Sequence, residues 1–342
     1  MKRTIFIVII IICIVCGIIF YHSQKRVVSS IQTTIQKVAA PLNPLSIAAM
    51  RARSYPGSNL KIEQTLSDGS NYHQYIASYI SDGLKINGLL TIPIGTKPKA
   101  GWPVILFNHG YISPGEYQTD PSVGQYASYF SVFAEAGYIV FKPDYRGNAQ
   151  SEGKPEGAYY SPAYTVDDLN ALSSLKKYPD ANPNKIGVWG HSMGGNITLR
   201  DLVVNPNDIK AAVIWGGVVG SYEDLAHWHD PAYHPSITQS AAQNRVRSAL
   251  MKQYGSPSSH SPFWQSIDPT NFVSSITVPV QLDVGGSDEE VPSSFSQNFR
   301  DKLQKAGKTV EFFTYPGDNH NISNHFTEAM QHSLDFFNKY LK

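Results

Sequence analysis

The sequence predicts an α/β fold in which helices cover both faces of a mostly parallel central sheet. Two observations lead to this prediction: short, wholly apolar runs recur along the chain, and helix-like segments lie between most of them. Apolar runs of this length are typical of parallel strands that are buried on both faces. A regular alternation of such strands with helices folds into a right-handed parallel sheet.

The first residues of the 342-residue chain differ sharply from the rest. Lys2 and Arg3 precede an apolar run, and the uncharged stretch over residues 4–24 is long enough to cross a bilayer as a helix. No small-residue cleavage pattern follows it. We interpret residues 1–24 as an uncleaved signal-anchor that binds the membrane and places the catalytic part outside the cytoplasm. A cleaved signal peptide of a secreted protein is the alternative.

The leader is followed by residues 25–56, which are rich in Ser, Gln, Thr, Ala and Pro and are interpreted as a tether. Both cysteines, Cys13 and Cys16, lie in the leader, so the catalytic part is predicted to have neither a disulfide nor a thiol nucleophile. The formal net charge is +1, and no basic cluster stands out beyond the leader. These features exclude a nucleic-acid partner, which usually requires a clustered basic face.

The catalytic domain is predicted to span residues 57–342. Its first three β-rich segments are close together and predict an antiparallel meander over residues 60–65, 74–80 and 84–92. Further strands are predicted at residues 103–107, 138–142, 186–189, 211–215, 278–284 and 310–315. Helices are predicted at residues 125–135, 165–177, 194–205, 293–306 and 324–341.

One interval, between the strands at 211–215 and 278–284, interrupts the alternation. Because a structureless loop of this length is unusual in a compact domain, the sequence predicts a small helical cap over about residues 220–275, with its main helix at 237–254. His227, Trp228, His229 and His234 lie in this cap. Histidines with no partner at helical spacing are weak evidence for zinc, so no metal site is predicted. We expect the cap to present Trp and His side chains to substrate.

The strongest local signal is Gly190-His191-Ser192-Met193-Gly194, which lies between an apolar strand and the start of a helix. A serine in a sharp, strained strand-to-helix turn needs neighbours without side chains. Such a turn lifts the serine Oγ above the sheet, where the following helix offers backbone N–H groups. Ser192 is therefore predicted to be a nucleophile that accepts an acyl group.

A serine hydroxyl needs a base within hydrogen-bonding distance, and in this type of fold the order along the chain is Ser, acid, His. Asp288 follows a Gly-Gly turn after a strand and precedes the Val-Pro pair that opens a helix, so it is the predicted acid. Glu289 is the alternative. Asp283 lies within the strand pattern and is interpreted as a structural or edge residue.

The predicted base is His320, which lies in the loop after the last strand. His325 and His332 are assigned to the final helix instead. The negative charge that develops on a substrate carbonyl oxygen requires fixed N–H donors, and the amides of Met193 and Tyr111 are predicted to form this oxyanion hole. The segment Asp144-Tyr145-Arg146-Gly147 is assigned a scaffolding role near the site.

Together these residues resemble the catalytic domain of prolyl oligopeptidase-type serine peptidases, the dipeptidyl- and acylaminoacyl-peptidase relatives within the α/β-hydrolases. The resemblance runs from about residue 86 to the C-terminus. It rests on His109-Gly110, Asp144-Tyr145-Arg146-Gly147, the run from Gly190 to Gly195, Asp288 before Val291-Pro292, and His320 after Pro316-Gly317. It implies an α/β-hydrolase fold with Ser192, Asp288 and His320 as nucleophile, acid and base.

The sequence departs from that group in two ways that bear on which substrate is cleaved. No β-propeller fits between the leader and the first strands, and the cap is longer than expected for the group. The sequence predicts a serine hydrolase that cleaves amide or ester bonds through an acyl-enzyme. The expected substrate is a short peptide or a small ester; a peptidase is slightly favoured, and a carboxylic ester hydrolase is the alternative. A non-catalytic binding protein is a further alternative, although such proteins typically lose a triad member. No cofactor is implied.

Overall fold

A computed structural model of the chain describes residues 17–26, 42–155, 159–229 and 241–342. Residues 17–26 are helical, and residues Pro44–Lys342 form a compact unit of their own. Most of the predicted signal-anchor, including Cys13 and Cys16, lies outside the described residues. Within the described ranges, no helix is both long enough and apolar enough to span a bilayer.

The compact unit is built on one nine-stranded sheet, counted over the described residues, with the order β1-β2-β3-β5-β4-β6-β7-β8-β9. Strands β1 to β3 are joined by antiparallel pairing, β3 pairs antiparallel with β5, and all later neighbours pair in parallel. The predicted α/β class with a mostly parallel sheet is confirmed. The strands are β1 (Lys61–Thr65), β2 (Tyr72–Ser81), β3 (Leu84–Pro93), β4 (Trp102–Asn108), β5 (Ile139–Pro143), β6 (Ala181–His191), β7 (Ala211–Trp215), β8 (Val280–Gly285) and β9 (Val310–Tyr315).

Helices cover both faces of the sheet, as the alternation of side chains along β4 shows. Val104 and Leu106 belong to one apolar cluster, whereas Ile105 and Phe107 belong to another. Because successive side chains of a strand point to opposite faces, the two clusters are the cores of the two faces. The helices are α1 (Ile47–Ala52), α2 (Ala127–Glu135), α3 (Ala163–Leu175), α4 (Met193–Val204), α5 (Tyr222–Trp228), α6 (Ala241–Tyr254), α7 (Pro262–Ile267), α8 (Ser293–Lys305) and α9 (Phe326–Leu341).

The interval between β7 and β8 is helical, as predicted. It contains α5, α6, α7 and a 3₁₀ helix over Pro269–Ser275, and its described residues include no strand. Trp228 and His229, which the sequence predicts to face the substrate, are both only 6% exposed. Trp228 packs edge-on against Phe295 and donates its indole N–H to the Glu290 carbonyl oxygen at 3.1 Å. His234 lies outside the described residues.

The segment that the sequence assigned to a tether contains a short helix, α1. Ser46 caps its start by accepting the Ala49 N–H at 3.1 Å. Ile47 and Met50 are buried in the core cluster beneath it. The capping serine and the apolar residues three apart are the local signals for this helix. Residues 47–52 are therefore part of the packed domain.

Candidate active site

Ser192 occupies a strained turn between β6 and α4. Its φ is +54°, a left-handed conformation that costs a non-glycine residue free energy. A Cβ at Gly190 would overlap the Thr198 hydroxyl, and one at Gly194 would overlap the Asn108 carbonyl oxygen. The predicted strain at Ser192 and the need for glycine on either side are both confirmed. The turn lifts the Ser192 side chain above the carboxyl end of the sheet.

Asp288 and His320 form a buried pair at the same end of the sheet. The Nδ1 of His320 lies 2.8 Å from the Oδ2 of Asp288, and the two side chains are exposed by 3% and 0%. The other carboxylate oxygen of Asp288 accepts the backbone N–H groups of Glu290 and Val291 at 2.9 and 2.8 Å. Because these bonds fix the carboxylate, its Oδ2 remains directed at the imidazole.

The other two carboxylates considered from the sequence occupy different positions. Glu289 accepts the backbone N–H of His320 at 3.3 Å and makes no hydrogen bond to the imidazole ring within the described residues. Asp283 is fully buried in β8, inside the sheet, where it accepts hydrogen bonds from Tyr315 and Gln281 at 2.8 and 2.7 Å. The structure thus brings Asp288 to the His320 ring and leaves Asp283 in the sheet.

The two histidines assigned to the final helix lie away from this pair. His332 is in α9 and hydrogen-bonds to the Tyr315 hydroxyl at 2.9 Å. His325 immediately precedes α9, one residue outside the helix rather than within it. The reason is Asp318, whose carboxylate accepts both the backbone N–H and the ring of His325 at 2.9 Å and holds them in the loop.

Gly216 leaves room beside the Asp288–His320 pair, and Gly110 leaves room beside Ser192. A Cβ at Gly216 would lie 3.1 Å from the His320 ring and 3.2 Å from the Asp288 carboxylate. A Cβ at Gly110 would lie 3.2 Å from the Ser192 Cβ. Sequence reasoning missed the role of Gly216, although its position directly after β7 and its pairing with Gly217 were visible signals. Both glycines leave room for side chains that come from distant segments.

The His320 imidazole has the properties of a base. Burial disfavours its charged form, but the hydrogen bond and the charge of Asp288 outweigh burial, and Glu290 and Glu289 add to them. The net effect raises the pKa of His320 above its ordinary value. Its Nε2 is buried and has no hydrogen-bond partner among the described residues. That nitrogen is therefore free to take a proton from a hydroxyl.

The two amides predicted for the oxyanion hole are available as donors. Met193 is the first residue of α4, so its N–H has no acceptor within the helix. The Tyr111 amide donates to no acceptor in the part of the chain that the structure describes. Tyr111 itself is 45% exposed.

Tyr126 connects the loop that carries Tyr111 to the serine turn. Its hydroxyl accepts the Gly110 N–H at 2.8 Å and lies 2.7 Å from the Nδ1 of His191. Burial, followed by the charge of His320, holds the pKa of His191 well below its usual range, so this histidine is neutral. The Tyr126 proton is then donated to His191 Nδ1, while Nε2 faces the His320 carbonyl oxygen at 3.3 Å. Nothing in the sequence pattern indicates this connection.

A buried polar cluster anchors the same loop further along. Asp144 accepts hydrogen bonds from Tyr117 and Thr119 at 2.9 and 2.5 Å, and the Lys142 ammonium donates to the Tyr117 hydroxyl at 2.6 Å. Burial raises the pKa of Asp144 to about 6 and lowers that of Lys142 to about 8. The contacts of Asp144 are those of a residue that ties neighbouring loops together.

The comparison with known families agrees with this geometry. A model described as the prolyl oligopeptidase family matches residues 125–342, which include Ser192, Asp288 and His320. The chain belongs to the prolyl oligopeptidase family. It is a serine hydrolase, as the sequence predicts.

Curated relatives of this prolyl oligopeptidase family member include bacterial and fungal peptidases. The uncharacterized peptidase YtmA of Bacillus subtilis is 25% identical over 278 residues, which cover 78% of this chain and 96% of YtmA. Dipeptidyl-aminopeptidase B of Aspergillus niger is 24% identical over 304 residues, and the chain spans 29% of its length.

Solved structures show the same α/β-hydrolase fold. An acetyl xylan esterase from Paenibacillus sp. R4 superposes with a TM-score of 0.62 at 18% identity, covering 86% of this chain and 92% of the esterase. An acylaminoacyl peptidase from Pyrococcus horikoshii also gives a TM-score of 0.62, at 20% identity, covering 81% of this chain and 44% of the peptidase. At these identities the likeness shows the fold alone.

Proposed function

We propose that this prolyl oligopeptidase family member is a serine peptidase that cleaves short peptides with Ser192 as nucleophile, His320 as base and Asp288 as the acid that orients the base. One observation carries the proposal: the buried His320 imidazole is held by the Asp288 carboxylate at 2.8 Å, and its Nε2 has no hydrogen-bond partner among the described residues. Membership of the family supports peptide bonds as the substrate class.

In the acylation step, the Ser192 hydroxyl proton passes to His320 Nε2 while Oγ forms a bond to the substrate acyl carbon. The carbonyl electron pair moves onto oxygen, where the amides of Met193 and Tyr111 stabilise the negative charge. The tetrahedral species then collapses, the bond to the leaving amine breaks, and Nε2 returns its proton to that amine.

In the deacylation step, water attacks the acyl-enzyme and gives a proton to His320 Nε2. The bond between Ser192 Oγ and the acyl carbon breaks, and the proton returns to Oγ. Throughout both steps Asp288 stays ionised, fixes the imidazole tautomer through Nδ1–H and stabilises the transient imidazolium. No other proton donor or acceptor is needed.

The proposal is tested by replacing the nucleophile. Ser192→Ala is expected to lower kcat on aminoacyl p-nitroanilides by about 1000-fold or more, because the variant cannot form the acyl-enzyme. Far-UV circular dichroism and thermal melting check that the variant is folded. Activity within a few-fold of the unmodified protein would show that Ser192 is not the nucleophile.

A second candidate function is carboxylic ester hydrolysis. The structural neighbours include an acetyl xylan esterase as well as a peptidase, so the fold is compatible with a small-ester substrate too. The ratio of kcat/KM for aminoacyl p-nitroanilides to that for short-chain p-nitrophenyl esters separates the two. Turnover of the esters alone would favour the esterase.

A further inference from the structure

Glu290 presents an unused carboxylate to the catalytic imidazole. Its Oε2 lies 3.8 Å from the Nε2 of His320, and its side chain is 60% exposed. It lies in the same loop as Asp288 and Glu289, but it does not share their tasks. Both neighbours accept backbone N–H groups, whereas the Glu290 carboxylate accepts no hydrogen bond within the described residues.

Backbone contacts hold Glu290 in place while its carboxylate remains free. The Trp228 indole donates to the Glu290 carbonyl oxygen at 3.1 Å, and the Glu290 N–H donates to Asp288 at 2.9 Å. Both bonds fix the main chain at this position. The negative charge is thus positioned by the fold and is not balanced by any other ion pair that the described ranges contain.

Aromatic side chains lie close to the main chain of Glu290. The Trp228 indole binds the Glu290 carbonyl oxygen, and Tyr159 packs against Trp228 with ring centroids 6.2 Å apart. A carboxylate attracts ammonium groups through charge, and aromatic rings attract them through cation–π contacts.

The catalytic step determines which part of the substrate passes this carboxylate. His320 is 2% exposed, and its unpartnered Nε2 must come within hydrogen-bonding distance of the departing atom in order to protonate it. A group attached to that atom therefore lies close to Glu290. The acyl part of the substrate is held on the other side, by Ser192 and the oxyanion amides.

We propose that Glu290 selects substrates whose leaving group carries a positive charge next to the scissile bond. In a peptide this charge is a Lys or Arg side chain directly after the bond, and in an ester it is an ammonium group on the alcohol. The inference rests on the proposed function, because it uses His320 Nε2 as the donor to the leaving group.

A pair of thioesters that differ only in charge tests the inference. Acetylthiocholine carries a quaternary ammonium, and 3,3-dimethylbutyl thioacetate replaces its nitrogen by carbon. The wild-type protein is expected to prefer the cation by about five- to tenfold in kcat/KM at low ionic strength, and less at high salt, because Glu290 is partly exposed. Glu290→Gln is expected to bring the ratio of kcat/KM for the cation to kcat/KM for the neutral thioester to about one. Glu290→Lys is expected to invert this ratio.

The control variant is Glu328→Lys, which makes the same change of net charge at an exposed position on α9. It is expected to keep the wild-type ratio. An equal ratio in the wild-type protein and in Glu290→Lys would overturn the inference while leaving the proposed function intact. Failure of the proposed function would look different: turnover of aminoacyl p-nitroanilides would survive Ser192→Ala.

Discussion

Among single residues, Gly216 determines how closely the proposed acid and base can approach the end of β7. Its φ is +48°, and a Cβ there would lie 3.1 to 3.2 Å from His320 and Asp288. Contacts this short require one of the two side chains to move by a few tenths of an ångström. Since the hydrogen bond between them fixes the direction of Nε2, even a small displacement changes the geometry of proton transfer.

We predict that Gly216→Ala lowers kcat by about 10- to 100-fold, because misplacement of catalytic groups on this scale costs rate steeply. Steady-state kinetics on a p-nitrophenyl ester measures the effect. Gly307→Ala is the matched control: its φ is +68°, but nothing lies within 4 Å of the added Cβ. It carries similar backbone strain without the contact, so its kcat should be unchanged. Equal kcat losses in both variants would contradict the prediction.

The sequence predicts some of these residues and not others, for a physical reason. Ser192 is recognisable because its strain requires glycines two positions away, so the signal is local. Asp288 and His320 follow from their order and from the ends of strands. Gly216 and Tyr126 act on residues from distant segments, and a single sequence does not show which loops meet at the end of a sheet.

Among the elements, Tyr126 joins the loop between β4 and α2 to the end of β6 at the carboxyl end of the sheet. It precedes α2, binds the Gly110 amide in the loop after β4, and binds His191 at the end of β6. His191 continues the chain of contacts to the His320 carbonyl oxygen in the loop after β9. The relative positions of the proposed nucleophile, base and oxyanion amide therefore depend on one hydroxyl.

We predict that Tyr126→Phe lowers kcat by about tenfold with little change in KM, because the Gly110 amide and His191 each lose a buried partner and the oxyanion loop shifts. Tyr75→Phe serves as the control, since the described structure shows no hydrogen bond for the Tyr75 hydroxyl. A Tyr126→Phe enzyme with wild-type kcat would show that the loops hold their positions without this hydroxyl.

The elements themselves are predicted well where local patterns determine them. The strands over 211–215 and 310–315 agree with the structure at both ends, because each is a β-rich run flanked by turn or helix signals. Helix α1 was missed because six residues give too short a pattern to be read as a helix without its tertiary contacts. In particular, Ile47 and Met50 show their role only when packed against the core.

For the molecule as a whole, the buried carboxylate of Asp283 makes one contribution to how stability depends on pH. Burial raises the pKa of Asp283 to about 7, although hydrogen bonds from Gln281 and Tyr315 oppose the shift. The ordinary value in an unfolded chain is about 3.9, so the folded protein binds an extra proton between these values. The contribution of the Asp283 carboxyl to the free energy of unfolding is therefore present below about pH 4 and is lost as the pH rises through about 7.

We predict that raising the pH from 5 to 8 changes the free energy of unfolding of Asp283→Asn more favourably than that of the unmodified protein, by about 1–3 kcal/mol. Gln281 can accommodate the amide because its Oε1 has no partner among the described residues. Urea denaturation at the two pH values measures the change. Asp335→Asn, at an exposed site on α9, should leave the pH dependence as it is. An equal pH dependence in Asp283→Asn and in the unmodified protein would contradict the prediction.

The contact between Trp228 and Glu290 also gives the protein an optical reporter. Trp189, Trp215 and Trp264 are exposed by 1% or less within the fold, whereas the Trp228 indole donates its N–H to the backbone of the residue that faces the leaving group. Indole emission responds to charges brought near the ring. A cation that binds beside Glu290 therefore alters the intrinsic fluorescence, and occupancy can be followed by titration without labels and without turnover.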